Sequence, residues 1–212
     1  TDRAAATSAW LDRALESDRE AWDTEFGVAH DPNGFDAEAN VLRYRPCPVI
    51  LRVGAGASGG VGAGDTAEVA AGLEAQMRRC ALAAARVGAP VEWSVDADVF
   101  PQVKDVIEKI RAGVDDGLMA TEVDVSDAET FAARLDAVSD PMGVRVRMIG
   151  EVPQELVEVA ARHIHVTLVT DPVTVSGRVE QRYYVREQAV SMTMHRFGNP
   201  DRDFQELAKR LR

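Results

Sequence analysis

Pro48-Val49-Ile50-Leu51-Arg52-Val53-Gly54 is an apolar run pinched between a proline and a glycine, and its reading decides the fold. Bounded this way, it reads as a short strand. Downstream of it the spacing predicts a long Ala-rich helix over 66–87, with Asp65 and Glu68 placed as a capping box. Val91-Glu92-Trp93-Ser94-Val95 follows the breaker Gly88-Ala89-Pro90 and reads as the next strand. The alternation continues: helix over 102–112, strand over 121–125, helix over 128–138 with Ser126 or Asp127 as N-cap, strand over 144–149, helix over 154–162, strand over 166–169. Strand and helix in regular turn predict the α/β class, a Rossmann-like parallel sheet flanked by helices. No internal repeat is present.

Upstream, Leu11, Ala14, Leu15, Ala21 and Trp22 recur at helical spacing among many charges, which predicts an amphipathic helix over 7–26. Asp31-Pro32-Asn33-Gly34 is turn chemistry and ends it. The organisation expected is therefore an N-terminal helix and linker over 1–30, the α/β body over 31–172, a β-flap and tail over 173–200, and a C-terminal helix over 201–212.

The 212 residues are 46% hydrophobic and 28% charged, enough apolar material for a sizeable core. No stretch reaches the roughly 18 apolar residues that a membrane helix needs. The chain opens Thr1-Asp2-Arg3, with neither an apolar leader region nor an initiator Met, so we expect no signal peptide and either a processed chain or a piece cut from a longer one. With 24 basic against 35 acidic residues the net charge is −11, which disfavours nucleic acid as a partner. Two cysteines are too few for a disulfide framework or a structural zinc site, and a cytoplasmic setting is expected.

Past Thr170-Asp171-Pro172 the rhythm breaks. Residues 173–195 form a long extended stretch interrupted by Ser176-Gly177, a pairing that fits a hairpin turn. Val179, Gln181, Tyr183 and Val185 alternate with Glu180, Arg182, Tyr184 and Arg186, and Val190, Met192 and Met194 alternate with Ser191, Thr193 and His195. A two-stranded ribbon is marginal alone in water and its edges invite pairing, so something must cover it. On this reading a cut after Gly177 leaves the body folded.

Candidate chemistry is sparse. Gly54-Ala55-Gly56-Ala57-Ser58-Gly59 is a literal G-x-G-x-x-G after a strand, the pattern that lets a pyrophosphate approach a helix N-terminus. The glycines run on through Gly60, Gly62 and Gly64, however, and the helix signal waits until Asp65. The acidic residue expected about 20 residues on is Asp96, much further along. A plain loop is the preferred reading, with an independent dinucleotide-binding oxidoreductase module as the alternative. His163-Ile164-His165 lacks a further ligand at zinc spacing, so no metal site is assigned. Asp96 with Asp98, and Asp115-Asp116-Gly117, have ordinary loop composition. Cys47 lies between two prolines and Cys80 inside the Ala-rich helix, neither an activating setting for a thiol. No catalytic and no cofactor-binding residue is assigned.

The tail carries a resemblance. Ser176-Gly177-Arg178-Val179-Glu180, then Tyr183-Tyr184-Val185-Arg186-Glu187-Gln188-Ala189-Val190-Ser191, then His195-Arg196-Phe197-Gly198-Asn199-Pro200 resemble the C-terminal end of long bifunctional proline utilization A enzymes. These bacterial enzymes fuse proline dehydrogenase to L-glutamate γ-semialdehyde dehydrogenase, also called 1-pyrroline-5-carboxylate dehydrogenase. Asp31-Pro32-Asn33-Gly34-Phe35, Asn40-Val41-Leu42-Arg43-Tyr44-Arg45-Pro46 and Pro48-Val49-Ile50-Leu51-Arg52-Val53 are similar to the entry into the same region.

The resemblance implies a non-catalytic domain of the aldehyde dehydrogenase superfamily fold with a β-flap. It implies that flap and tail pack on the catalytic semialdehyde dehydrogenase domain and help close the channelling tunnel. Gly177, Arg178, Tyr183, Val185, Arg186, Glu187, Val190, Met192, His195, Arg196 and Phe197 are the partner-binding residues expected from it. NAD and FAD would sit only in other domains of such an enzyme. The chain lacks the nucleophilic-Cys and glutamate motifs of a working aldehyde dehydrogenase, and it inserts the Gly-rich loop after its first strand. Without its catalytic partner, the ribbon is expected to build a homodimer or else to be disordered in the monomer.

Overall fold

The computed structural model describes residues 2–54, 72–114, 117–196 and 198–211. The glycine run after Gly54, the Asp65 and Glu68 box, Asp115-Asp116 and Phe197 lie outside the described residues.

The chain opens with α1 (Asp2–Ala21), which runs on into a π-helical turn, Trp22–Phe26. Its buried stripe is Trp10, Ala14, Asp18, Ala21 and Phe26, whereas Leu15, expected on that stripe, is 40% exposed. The strand β1 (Glu38–Pro46) follows and then β2 (Val49–Val53). Every residue of β2 is buried, so it takes helices on both faces.

From β2 the chain winds through α2 (Leu73–Val87), β3 (Val91–Val95), α3 (Phe100–Ala112) and β4 (Met119–Val125). It then passes through α4 (Ala128–Asp136), β5 (Val144–Ile149), α5 (Gln154–Arg162) and β6 (Val166–Val169). The five strands are all parallel, in the order β4-β3-β2-β5-β6. The chain thus starts in the middle, winds outward through β3 and β4, and returns to β5. That is the doubly wound Rossmann-like arrangement, with its switch point between β2 and β5.

Strand alternation divides the core. Val49, Leu51, Val53 and Trp93 pack with α2 and α3 on one face, while Ile50 and Val146 join Phe131, Leu135 and Leu156 of α4 and α5 on the other. Burial of each such side chain contributes about 1.5–3 kcal/mol. Buried Ala75, Ala81, Ala83 and Ala84 let α2 lie close on the sheet. Gly88, at φ 73°, supplies the left-handed residue that ends it. The N-cap of α4 is Asp127, whose carboxylate accepts the Thr130 N–H at 2.7 Å and is held below its usual pKa by that bond.

The antiparallel ribbon is present, but its strands differ from the sequence reading. The strand β7 (Val185–Thr193) pairs with β1, from Glu38↔Thr193 to Pro46↔Val185. Ser176-Gly177 is no hairpin turn: Ser176 caps α6 (Gly177–Glu180), and a 3₁₀ turn, Gln181–Tyr184, leads into β7. Gly177 serves close packing, since a Cβ there would sit 2.3 Å from the Ser17 carbonyl oxygen of α1. Glu180, Gln181, Tyr183 and Tyr184 are buried, so a cut after Gly177 removes part of the core and cannot leave the body intact. Beyond β7 come β8 (His195–Arg196), β9 (Asn199–Pro200) and α7 (Arg202–Lys209). Ala208 and Leu211 pack with Ala39, Val41, Met192 and Met194, covering one face of the ribbon. No helix among the described residues is long and apolar enough to cross a membrane.

Candidate interaction surface

A buried charge network fixes the foot of the ribbon to the body. Arg147 on β5 is fully buried and donates from Nε and Nη2 to the two oxygens of Glu180, at 2.9 and 3.0 Å. The same carboxylate accepts the Tyr184 hydroxyl at 3.0 Å and lies 3.7 Å from the Cys80 Sγ. Arg79 makes a second bidentate pair, with Asp18 of α1 at 2.8 Å through each nitrogen, and its Nε reaches the Thr174 carbonyl. The guanidinium fork matches a carboxylate in plane, which is why arginine occupies both places. Arg145 then donates to the Tyr183 and Val185 carbonyls at 2.8 and 2.9 Å, anchoring the start of β7.

This network is structural in its chemistry. Burial pushes the Cys80 thiol up to about 12, with Glu180 adding to the effect, so Cys80 carries no thiolate at neutral pH. Burial also raises Tyr184 well above its usual value. Cys47 is buried at the ribbon foot, where its sulfur accepts from Arg186 Nε at 3.1 Å.

A second cluster closes the C-terminal end of the sheet. Arg52, fully buried on β2, stacks 4.6 Å over the Phe131 ring and donates to Ser94 Oγ at 2.9 Å and to the Ser126 carbonyl at 2.8 Å. Asp96, at the end of β3, meets Arg52 at 3.5 Å and accepts the Asp98 backbone N–H at 3.1 Å. The carboxylate that a dinucleotide ribose would need is thus engaged within the protein. The rings of His163 and His165 lie 5.8 Å apart, and no group of three or more metal-ligating side chains occurs among the described residues.

The residues expected at a partner interface separate by exposure. Gly177, Tyr183 and Val185 are inside, with the Tyr183 hydroxyl donating to Asp171. Arg186 is half-buried and turned inward to Cys47 and the Met142 carbonyl, and Val190 and Met192 are half-buried. Arg178, Glu187, His195 and Arg196 are presented to solvent, Arg178 also pairing with Glu25 at 2.8 Å. Sequence reasoning missed the exposed apolar groups beside them. Leu42 and Ala189 lie directly opposite each other on the ribbon, and Phe204 and Leu207 are 41% and 48% exposed on α7. The i, i+3 spacing of Phe204 and Leu207 is the signal that could have found the second pair.

Comparison by sequence finds no matching protein-family model and no matching curated protein. Among solved structures, proline utilization A from Corynebacterium freiburgense is 28% identical over 90% of this chain, with a TM-score of 0.53. Two looser likenesses are to succinate-semialdehyde dehydrogenase from Burkholderia pseudomallei, 13% identical over 78% of this chain and 30% of that one, TM-score 0.47, and to an NAD-dependent aldehyde dehydrogenase from Sinorhizobium meliloti, 17% identical over 75% and 28%, TM-score 0.47. At those scores the two carry no functional argument.

The fold is similar to that of proline utilization A over the matched residues. In particular, the chain resembles the C-terminal region of proline utilization A, of whose length it spans 14%.

Proposed function

We propose that this chain is a non-catalytic domain of a bifunctional proline-catabolic enzyme. It packs on the semialdehyde dehydrogenase domain and helps close the tunnel through which the semialdehyde passes. The observation that carries this reading is the 28% identity to proline utilization A over 90% of the chain, joined to a ribbon whose exposed strand pair includes Leu42 opposite Ala189. The thiol of Cys80 is protonated and enclosed, which fits a domain that supplies no nucleophile. NAD and FAD belong to other domains of the parent enzyme.

A second reading has one observation in its favour. The strand order puts the start of the Gly-rich segment, at Gly54, beside the switch point where α/β sheets bind dinucleotides. Against it, Asp96 is engaged with Arg52.

In isolation the exposed ribbon face should meet its copy, giving a homodimer. Sedimentation velocity on the chain and on Leu42→Asp/Ala189→Asp, alongside calorimetric titration with NAD, tests both points. A dimer that the paired substitution converts to monomer, with no heat from NAD, supports the docking reading. A monomer throughout, or micromolar NAD binding, overturns it.

A further inference from the structure

A cavity of about 920 Å³ opens at the end of the sheet opposite Gly54, between the first residues of β2, β3, β4 and β5 and the foot of the ribbon. Its volume is within the range of small-molecule sites. The walls are largely apolar, with Pro48, Val91, Leu118, Met119 and Val144 among them.

The charges at its mouth are unusual. Arg45 and Arg186 both line the cavity and are directly opposite each other in the β1–β7 register. Like charges in that relation repel, and a sheet ordinarily avoids them. Among the described residues neither forms an ion pair. Arg186 spends Nε on the Cys47 sulfur and Nη2 on the Met142 carbonyl, which leaves Nη1, and Arg45 is exposed.

The acidic groups on the lining are committed or face away. Glu92 is paired with Arg134, and Asp140 accepts the Met142 N–H at 2.8 Å. Glu187 is the neighbour of Arg186 along β7, so its side chain leaves from the opposite face of the ribbon. Neither guanidinium group over the apolar chamber therefore has an ion-pair partner among the described residues, and a carboxylate matches a guanidinium fork in plane. A carboxylate held between them would relieve part of their repulsion, and the apolar walls would take an apolar body.

We propose that this cavity binds a small monocarboxylate with an apolar body, its carboxylate bridging Arg45 and Arg186 and its chain lying against Met119 and Val144. The site is separate from the docking reading above and does not rest on it.

The probe is octanoate, with octan-1-ol as the uncharged control, titrated at low ionic strength into the 212-residue chain. Methyl chemical shifts of Met119 and Val144 report the location. Octanoate should move both and bind at least tenfold more tightly than the alcohol, and Arg45→Gln should remove most of that difference. Arg45 is exposed, so this substitution leaves the fold intact; an unchanged thermal midpoint checks that. Equal binding of acid and alcohol, binding insensitive to Arg45→Gln, or no shift at either methyl overturns the proposal.

Discussion

Glu180 accepts from Arg147, Tyr184, Cys80 and the Thr174 N–H, all inside the protein. Removing its charge alone leaves Arg147 buried without a counter-ion, which costs about 3–5 kcal/mol. Glu180→Gln should therefore lower the urea midpoint sharply, while joint replacement of Arg147 and Glu180 by apolar residues of similar volume should recover much of the loss. Cys80 gives a pH signature. Its pKa rises from 9.0 to about 12 on folding, so the folded state keeps a proton that the unfolded chain gives up. That contribution is complete below pH 9.0 and is lost as pH climbs towards about 12. Cys80→Ala should flatten the alkaline fall in stability, read as the urea midpoint against pH; an unchanged slope would place the titration elsewhere. Iodoacetamide should leave Cys80 unmodified in the native chain and label it in urea, as read by mass spectrometry.

At the scale of elements, α7 acts as a lid on the ribbon. Deleting 202–212 should speed amide exchange across β1 and β7, because Ala39, Val41 and Met194 lose their cover, and should leave β2, β3 and β5 protected. Uniform exchange would mean that ribbon and body unfold together. Gly177→Ala should act on a different element: a Cβ 2.3 Å from the Ser17 carbonyl pushes α1 off α6, with a cost of about 1–3 kcal/mol. Here the limits of sequence reading have physical causes. The strands over 49–53, 91–95, 144–149 and 166–169 were legible because short apolar runs between breakers have few alternatives. The strand β1 escaped, since Arg43, Tyr44 and Arg45 follow Val41 and Leu42 and its partner lies far along the chain. The segment 177–184 misled, because its period of two came from a helical turn wedged between α1 and α2, where tertiary packing overrides local alternation. Arg178, Glu187, His195 and Arg196, expected at a surface from the tail, are exposed, whereas Leu42 and Ala189 became neighbours only through the register.

At the scale of the whole molecule, a doubly wound body carries a ribbon anchored by Arg145, Arg147 and Glu180. In the proposed docking, charge-assisted hydrogen bonds donated by Arg196 and accepted by Glu187 would set the register of the contact, and the exposed Leu42 and Ala189 would supply its apolar centre. If the domain closes a channel and performs no chemistry, loosening the contact should affect transfer between the two active sites and neither site itself. The most direct measurement is the time course of NADH formation from proline in the full bifunctional enzyme carrying Leu42→Asp/Ala189→Asp. The account predicts a lag that the unmodified enzyme lacks, with both half-reactions at their original rates when assayed separately. A variant without a lag, or one whose dehydrogenase half-reaction collapses together with its affinity for NAD, would contradict it.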